Sequence, residues 1–213
     1  YPIGRMILNS VFINVVTQCI SILITTMAGF IFTKYPYRGS DKIEMMIIAS
    51  MMVPPVVLMI PVYLMMSTLG LINSYLSLIL FYTAIILPFS LYLVTSNFRL
   101  IPDECLESAK IDGASLFRTY RSIVLPLGKP VVLTLLTLNF LWCWNEFLYS
   151  MLLLQKTEMR TLTVGVALIV GKRTVDMPLL LSGLLVNSIP VLIIFAIANK
   201  YFVKGMTAGA VKA

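Results

Sequence analysis

The chain has 213 residues, 59% of them apolar and 12% charged, with a mean hydropathy of +0.95 and a formal net charge of +7. This composition excludes a soluble globular domain and defines an integral membrane protein, and the chain's continuous apolar runs make the expected fold an all-α polytopic helical bundle. Histidine, the commonest acid–base and metal-binding side chain, is absent, and Cys19, Cys105 and Cys143 lie far apart, so neither an enzyme, a disulfide framework nor a metal site is indicated.

A bilayer core of about 30 Å needs roughly 20 helical residues. The charge-free stretch from Met6 to Thr33 predicts a first span over 8–32. Asn14, Gln18, Ser21 and Thr25 share one face of it, and polar side chains within spans normally face the bundle interior. They are candidates for a substrate path, with interhelical hydrogen bonding as the simpler account.

Met45 to Phe98 is also free of charge and is long enough for two spans, 45–69 and 75–98, broken at Gly70-Leu-Ile-Asn73-Ser74. Pro54, Pro55, Pro61 and Pro88 interrupt these helices as hinges or as static packing kinks. Strands are not expected, because the apolar runs are continuous rather than alternating.

Residues 99–129 form a polar loop. Pro102 suits a first helical turn, and Asp103 and Glu104 complement the helix dipole, so a short helix is expected as far as Ile111. Cys105, Ala109 and Gly113 recur every four residues as a small-side-chain stripe beside a charged edge of Asp103, Glu107 and Lys110. Gly113 breaks the helix, and a second one follows from Ser115, a candidate N-cap, to Ile123. Both stripes are expected to face outward. A connector lying on headgroups would be basic and carry bulky apolar residues on one face, whereas the first helix has Asp103, Glu104, Glu107 and Asp112 against Lys110. Protein docking is the better reading.

The next span is expected over 127–149, with Trp142, Trp144 and Tyr149 as a headgroup belt and Glu146 as a structural anchor near the outer surface. A second loop, 150–181, holds an apolar piece, Leu162 to Val170, and a polar tip, Gly171 to Asp176. Within it, Gly165 to Arg173 imitates a phosphate-binding P-loop. Five residues separate its glycines where four are needed, and Arg173 replaces the magnesium-binding hydroxyl, so ATP chemistry must come from another chain. The fifth span is expected over 182–203, with Asn187 and Ser188 beside Pro190 as further substrate-path candidates.

Assigning alternate loops to opposite sides puts eleven lysines and arginines with the 99–129 loop and five opposite, so that loop and the C-terminus are expected in the cytoplasm and loop 150–181 outside. The net positive charge is then a topogenic bias and not a nucleic-acid footprint.

Glu107, Ala109, Gly113, Ile123, Leu125 and Pro126 stand at the spacing Glu-Ala-Ala, three residues, Gly, nine residues, Ile, one residue, Leu-Pro, with Asp112 and Ala114 flanking the glycine and Ser108 the one departure. In this the chain resembles the permease subunits of ABC importers. Leu8-Asn9-Ser10, Trp144-Asn145-Glu146-Phe147 and the tail from Tyr201 to Lys212 extend the resemblance to the smaller permease of maltose-type carbohydrate importers.

The resemblance implies one permease domain over 1–213, with six spans in the full protein, the first preceding Tyr1, in a prokaryotic inner membrane. It implies a heterodimer with a second permease subunit, two ATPase subunits that hold ATP and Mg, an external binding protein, and no cofactor on this chain. Asp103, Glu104, Glu107, Ser108, Ala109, Lys110, Asp112, Gly113 and Ala114 would seat in the ATPase. Gly171, Lys172, Arg173, Thr174 and Asp176 would reach the binding protein, or form an ordinary solvated loop near headgroups. The cargo implied is a sugar or oligosaccharide, with a glycerol-phosphate-type solute as the alternative. A secondary transporter would need ionisable groups at mid-membrane, and none is seen.

Overall fold

The computed structural model describes residues 2–170 and 176–210, with side chains described for 2–169 and 176–197. All regular elements among them are helical: α1 (Ile3–Lys34), α2 (Ser40–Ala49), α3 (Met59–Thr68), α4 (Tyr75–Phe98), α5 (Glu104–Ile111), α6 (Leu116–Thr119), α7 (Leu125–Leu127), α8 (Lys129–Asn145), α9 (Leu148–Leu153), α10 (Leu162–Val170) and α11 (Met177–Ala210). Short 3-10 turns join α2 to α3, and a π turn, Tyr120–Val124, joins α6 to α7.

Three helices are each long and apolar enough to cross a membrane: α1, α4 and the Met177–Ile197 part of α11. The expected spans over 45–69 and 127–149 are not straight helices. Ser40–Met52 meets Pro55–Thr68 at 90°, and Leu116–Leu127 meets Lys129–Asn145 at 73°, so the count reaches five only if each bent pair is one span. At the first bend Val53 is extended (φ −82°, ψ 114°) because it precedes Pro54, and Pro54 is extended in turn ahead of Pro55. Two adjacent prolines leave no helical donor there, and the chain turns instead of kinking. The second bend lies at Gly128, where an added Cβ would stand 2.3 Å from Phe98 Cε1. Only a glycine lets the bend close against that ring.

The second loop helix also runs further than Ile123. The π turn widens the helix ahead of Pro126, where the proline ring would otherwise meet the Ser122 carbonyl, and helix continues to Leu127. Opposite Glu146 the reverse occurs: α8 ends at Asn145 because Glu146 is extended (φ −66°, ψ 127°). Within α4, Pro88 is accommodated without a break.

The long pair α1 and α4 forms the spine, so close at Gly29 that a Cβ there would stand 2.4 Å from Val94 Cγ1. Two apolar cores lie along it. One gathers Phe81, Tyr82, Tyr149 and Leu153 with Met66 of α3. The other gathers Phe30, Val94 and Phe98 with Tyr120, Val124, Val131 and Leu135. α11 lies at the margin, with Leu185, Leu192 and Phe195 among its exposed side chains.

Candidate functional site: the α5–α6 elbow

At the Phe98 end of the spine the chain leaves α4 and forms an elbow from α5 and α6. Gly113 adopts φ +71°, a left-handed conformation that only residues without a Cβ take at no cost. Ala114 N donates to Ala109 O at 2.9 Å and Gly113 N to Lys110 O at 3.1 Å, the paired bonds of a Schellman stop. Ser115 then caps α6, its hydroxyl accepting from Arg118 N at 3.3 Å. The sequence expectations for the glycine break and the serine cap hold.

The faces of α5 differ from expectation. Ala109 is buried and Cys105 partly so, so the small-residue stripe turns toward the chain's own core instead of outward. The reason is Leu106, which with Ile101 plugs into the Phe98–Tyr120 core and fixes the helix rotation. Outward point Glu104, Glu107, Ser108 and Ile111, at the spacing of one helical face, together with Lys110, Asp112 and Gly113. Ser108 donates back to Glu104 O at 2.8 Å and adds little bulk.

Ile111 is 86% exposed, Phe117 61% and Leu116 53%, an apolar rim on the elbow that the sequence reading missed. Ile111 carried the signal, as the one bulky apolar residue between Lys110 and Asp112.

The elbow is tied to the bundle by side chains. Tyr120 shares a buried 2.8 Å hydrogen bond with Thr26 of α1. Lys34, the last residue of α1, donates to Ile101 O at 2.5 Å and to Asp103 at 2.7 Å. Asp103, expected in a docking surface and at the helix dipole, makes no capping bond and directs its carboxylate to Lys34. Arg99 donates to both oxygens of Glu44 at 2.9 and 2.7 Å.

The substrate-path candidates do not converge. Asn14, Gln18 and Ser21 are buried in α1, where Asn14 Oδ1, both polar atoms of Gln18, Ser21 Oγ, Thr17 Oγ1 and, from α4, Thr83 Oγ1 have no hydrogen-bond partner among the described residues. Thr25 instead bonds its own helix at Ser21 O. Gln18 also borders an apolar cavity of about 730 Å³ between α1, α8 and α11. Asn187 is used elsewhere, its backbone carbonyl accepting from Trp144 Nε1 at 3.0 Å and its Oδ1 from Thr163 Oγ1 at 3.4 Å, and Ser188 is exposed on α11.

At the opposite end, α10 packs its Leu162 and Val166 against Met6 and Trp144, as its apolar sequence suggests. Asn9 Nδ2 donates to Glu158 O and Arg160 O, and Ser10 Oγ accepts from Leu162 N, which explains the Leu8-Asn9-Ser10 motif as a clamp on this loop. Glu146 accepts from Tyr82 Oη (2.7 Å), Tyr149 N (2.9 Å) and Ser150 N (3.0 Å), anchoring α9. Asp176 caps α11 by accepting from Leu179 N at 3.0 Å. Gly171, Lys172, Arg173 and Thr174 lie outside the described residues.

A polytopic α-helical membrane subunit, with a helical elbow projecting from one end of its spine, is the class these features define. The family model for binding-protein-dependent transport system inner membrane components matches residues 21–208, and the chain belongs to that family. It is similar to the osmoprotective compounds uptake permease protein GgtD of Synechocystis sp., 31% identical with 98% of this chain and 70% of the relative covered. It is similar also to the melibiose/raffinose/stachyose import permease protein MelC of Bacillus subtilis, 28% identical over 99% of this chain and 76% of the relative. The fold matches a crystal structure of a bacterial ABC transporter involved in the import of the acidic polysaccharide alginate, with a TM-score of 0.85, 22% identity, and 95% of this chain and 76% of that one covered. The chain is thus a multi-pass permease subunit of an ABC importer, a system that works with an ATPase and a solute-binding protein.

Proposed function

We propose that this permease carries sugars or oligosaccharides across a prokaryotic inner membrane, and that its elbow is the seat for the ATPase. The observation that carries the docking assignment is the outward face of α5: Glu104, Glu107, Ser108 and Ile111 project from a helix whose other side is fixed in the core. An apolar side chain that is 86% exposed between charged neighbours, beyond the apolar ends of the spans, matches a protein surface better than either water or lipid. With Lys110, Asp112, Gly113 and Ala114 this face forms the contact. Ala109 and Asp103 act from behind it, holding the rotation and the approach of α5.

In this reading the elbow and C-terminus are cytoplasmic, and the loop with Gly171 to Asp176 faces the binding protein outside. The chain pairs with a second permease subunit and with two ATPase subunits that hold ATP and Mg, and binds no cofactor itself. The carbohydrate assignment rests on the relatedness to MelC. The relatedness to GgtD supports a second cargo class, osmoprotective solutes.

The test is ATP-dependent uptake by the assembled importer in proteoliposomes, with its own binding protein, against melibiose, raffinose, stachyose, an osmoprotective solute and glycerol phosphate. Carbohydrate uptake that stops when the ATPase is omitted is the expected result. Uptake without any ATPase, or of no carbohydrate, would refute it.

A further inference from the structure

We propose that Lys34 and Glu44 are positioning residues that brace the Arg99–Asp103 linker ahead of α5 to α1 and α2, so that a displaced elbow carries those helices with it instead of bending the linker. The inference rests on the elbow being the ATPase seat.

That linker is all that joins α4 to α5, and Leu100 within it is 78% exposed, so packing on the linker itself holds it only in part. Side chains from elsewhere fasten both of its ends. At the start, the Glu44 carboxylate of α2, 5% exposed, takes both bonds from Arg99. At the finish, the Lys34 ammonium of α1, 4% exposed, is divided between the Ile101 carbonyl and the Asp103 carboxylate.

Exposed ion pairs contribute little, but in each of these pairs one partner is withdrawn from water. Removing the opposite charge would leave it buried and uncompensated, which makes each contact hard to open. The contacts span 69 and 55 residues of sequence, and together they cross-brace the linker to two different helices. In the sequence alone, Lys34 and Glu44 read as ordinary charges at a membrane rim.

The experiment uses the complete importer with spin labels at Met46 of α2 and at Arg118, an exposed α6 residue of the elbow outside the docking face, measured without nucleotide and trapped with ATP and vanadate. Co-purification of the ATPase is scored in parallel. In the parent the interspin distance is expected to stay narrow in both states. In Lys34→Met and Glu44→Gln the distribution should at least double in width on trapping, while the ATPase co-purifies at the parental yield, and Lys34→Arg should restore the narrow distribution. A merely structural role would lower yield and thermal stability without nucleotide-dependent widening.

Equal widths in parent and variants would overturn the proposal. Should Lys34→Met fail to fold, Asp103→Ala removes the Lys34–Asp103 contact from a side chain that is 78% exposed, and an unchanged width there counts equally against it. If the parent itself retains no ATPase, the docking reading falls instead, and the brace is then judged by the nucleotide-free widths.

Discussion

Gly113 separates what the fold requires of the elbow from what a partner requires. Its φ of +71° disfavours every L side chain, by about 1–2 kcal/mol for a residue with a Cβ. Asparagine tolerates the conformation best. A Cβ built at this position meets no atom of the chain within 4 Å. Within the isolated permease, Gly113→Ala and Gly113→Leu should therefore cost the same: about 1–2 kcal/mol, a factor of roughly 5 to 30 in the equilibrium that frays the last turn of α5. Thermal unfolding of the purified subunit should place both variants together, with Gly113→Asn nearer the parent. In the assembled importer they should part. If the ATPase covers this glycine, Ala leaves a measurable share of ATP-dependent uptake, while Leu, with three more carbons at the contact, abolishes it. Equal uptake by the Ala and Leu variants would refute the reasoning, because backbone strain alone would then explain both.

Gly128→Val should destabilise the bend by about 1–3 kcal/mol, the range for overpacking, since its Cβ falls on Phe98, and Phe98→Leu should recover part of the loss in a detergent melting curve. Tyr120→Phe removes one buried hydroxyl, but Thr26 keeps its bond to Ile22 O, so a loss of only about 1 kcal/mol is expected by the same measurement. Glu146→Leu strips Tyr82, Tyr149 N and Ser150 N of one shared acceptor, and a loss of roughly 3 kcal/mol or more should appear as protease sensitivity around α9. Survival of α9 in that variant would show that Tyr149 stacking on Phe81 suffices.

Hydropathy was enough to locate α4, whose bounds at Tyr75 and Phe98 match the expected span, and α1, which extends only a few residues beyond 8–32. Both are continuous helices set by local composition. The bends were not legible, because a hydropathy window sums along the chain and carries no direction. Pro54-Pro55 and Gly128 were visible as residues, but whether a proline pair kinks or turns the chain depends on what fills the angle. Here Tyr149 reaches across to donate to Pro55 O at 2.6 Å, a contact 94 residues distant. The rotation of α5 was misjudged for a related reason. Leu106 lies beside the stripe of small side chains and takes that side of the helix, Cys105 and Ala109 with it, into the core because the large apolar side chain removes the most area from water. The spacing that identified Gly113 as the helix stop is local, and it held.

The polar face of α1 was legible as a pattern but not as a role. Asn14, Thr17, Gln18 and Ser21 lie within eight residues, about 10 Å of helix, and all are buried; Asn14 Oδ1, Thr17 Oγ1, Ser21 Oγ and both polar atoms of Gln18 have no hydrogen-bond partner among the described residues. Of these, Gln18 borders the apolar cavity between α1, α8 and α11, whereas Asn14, Thr17 and Ser21 are not among its lining residues. α1 and α4 are held by the hydrogen bond that Tyr75 Oη donates to Asn9 Oδ1 at 2.8 Å and by packing at either end of the polar stretch: Ile13 with Leu78 and Phe81 on one side, and Phe30 with Val94 and Phe98 on the other. The second of these is the same core into which Leu106 and Tyr120 insert from the elbow. A close-packed interior transmits strain instead of absorbing it, so a push on α5 reaches both helices of the spine through a few direct contacts.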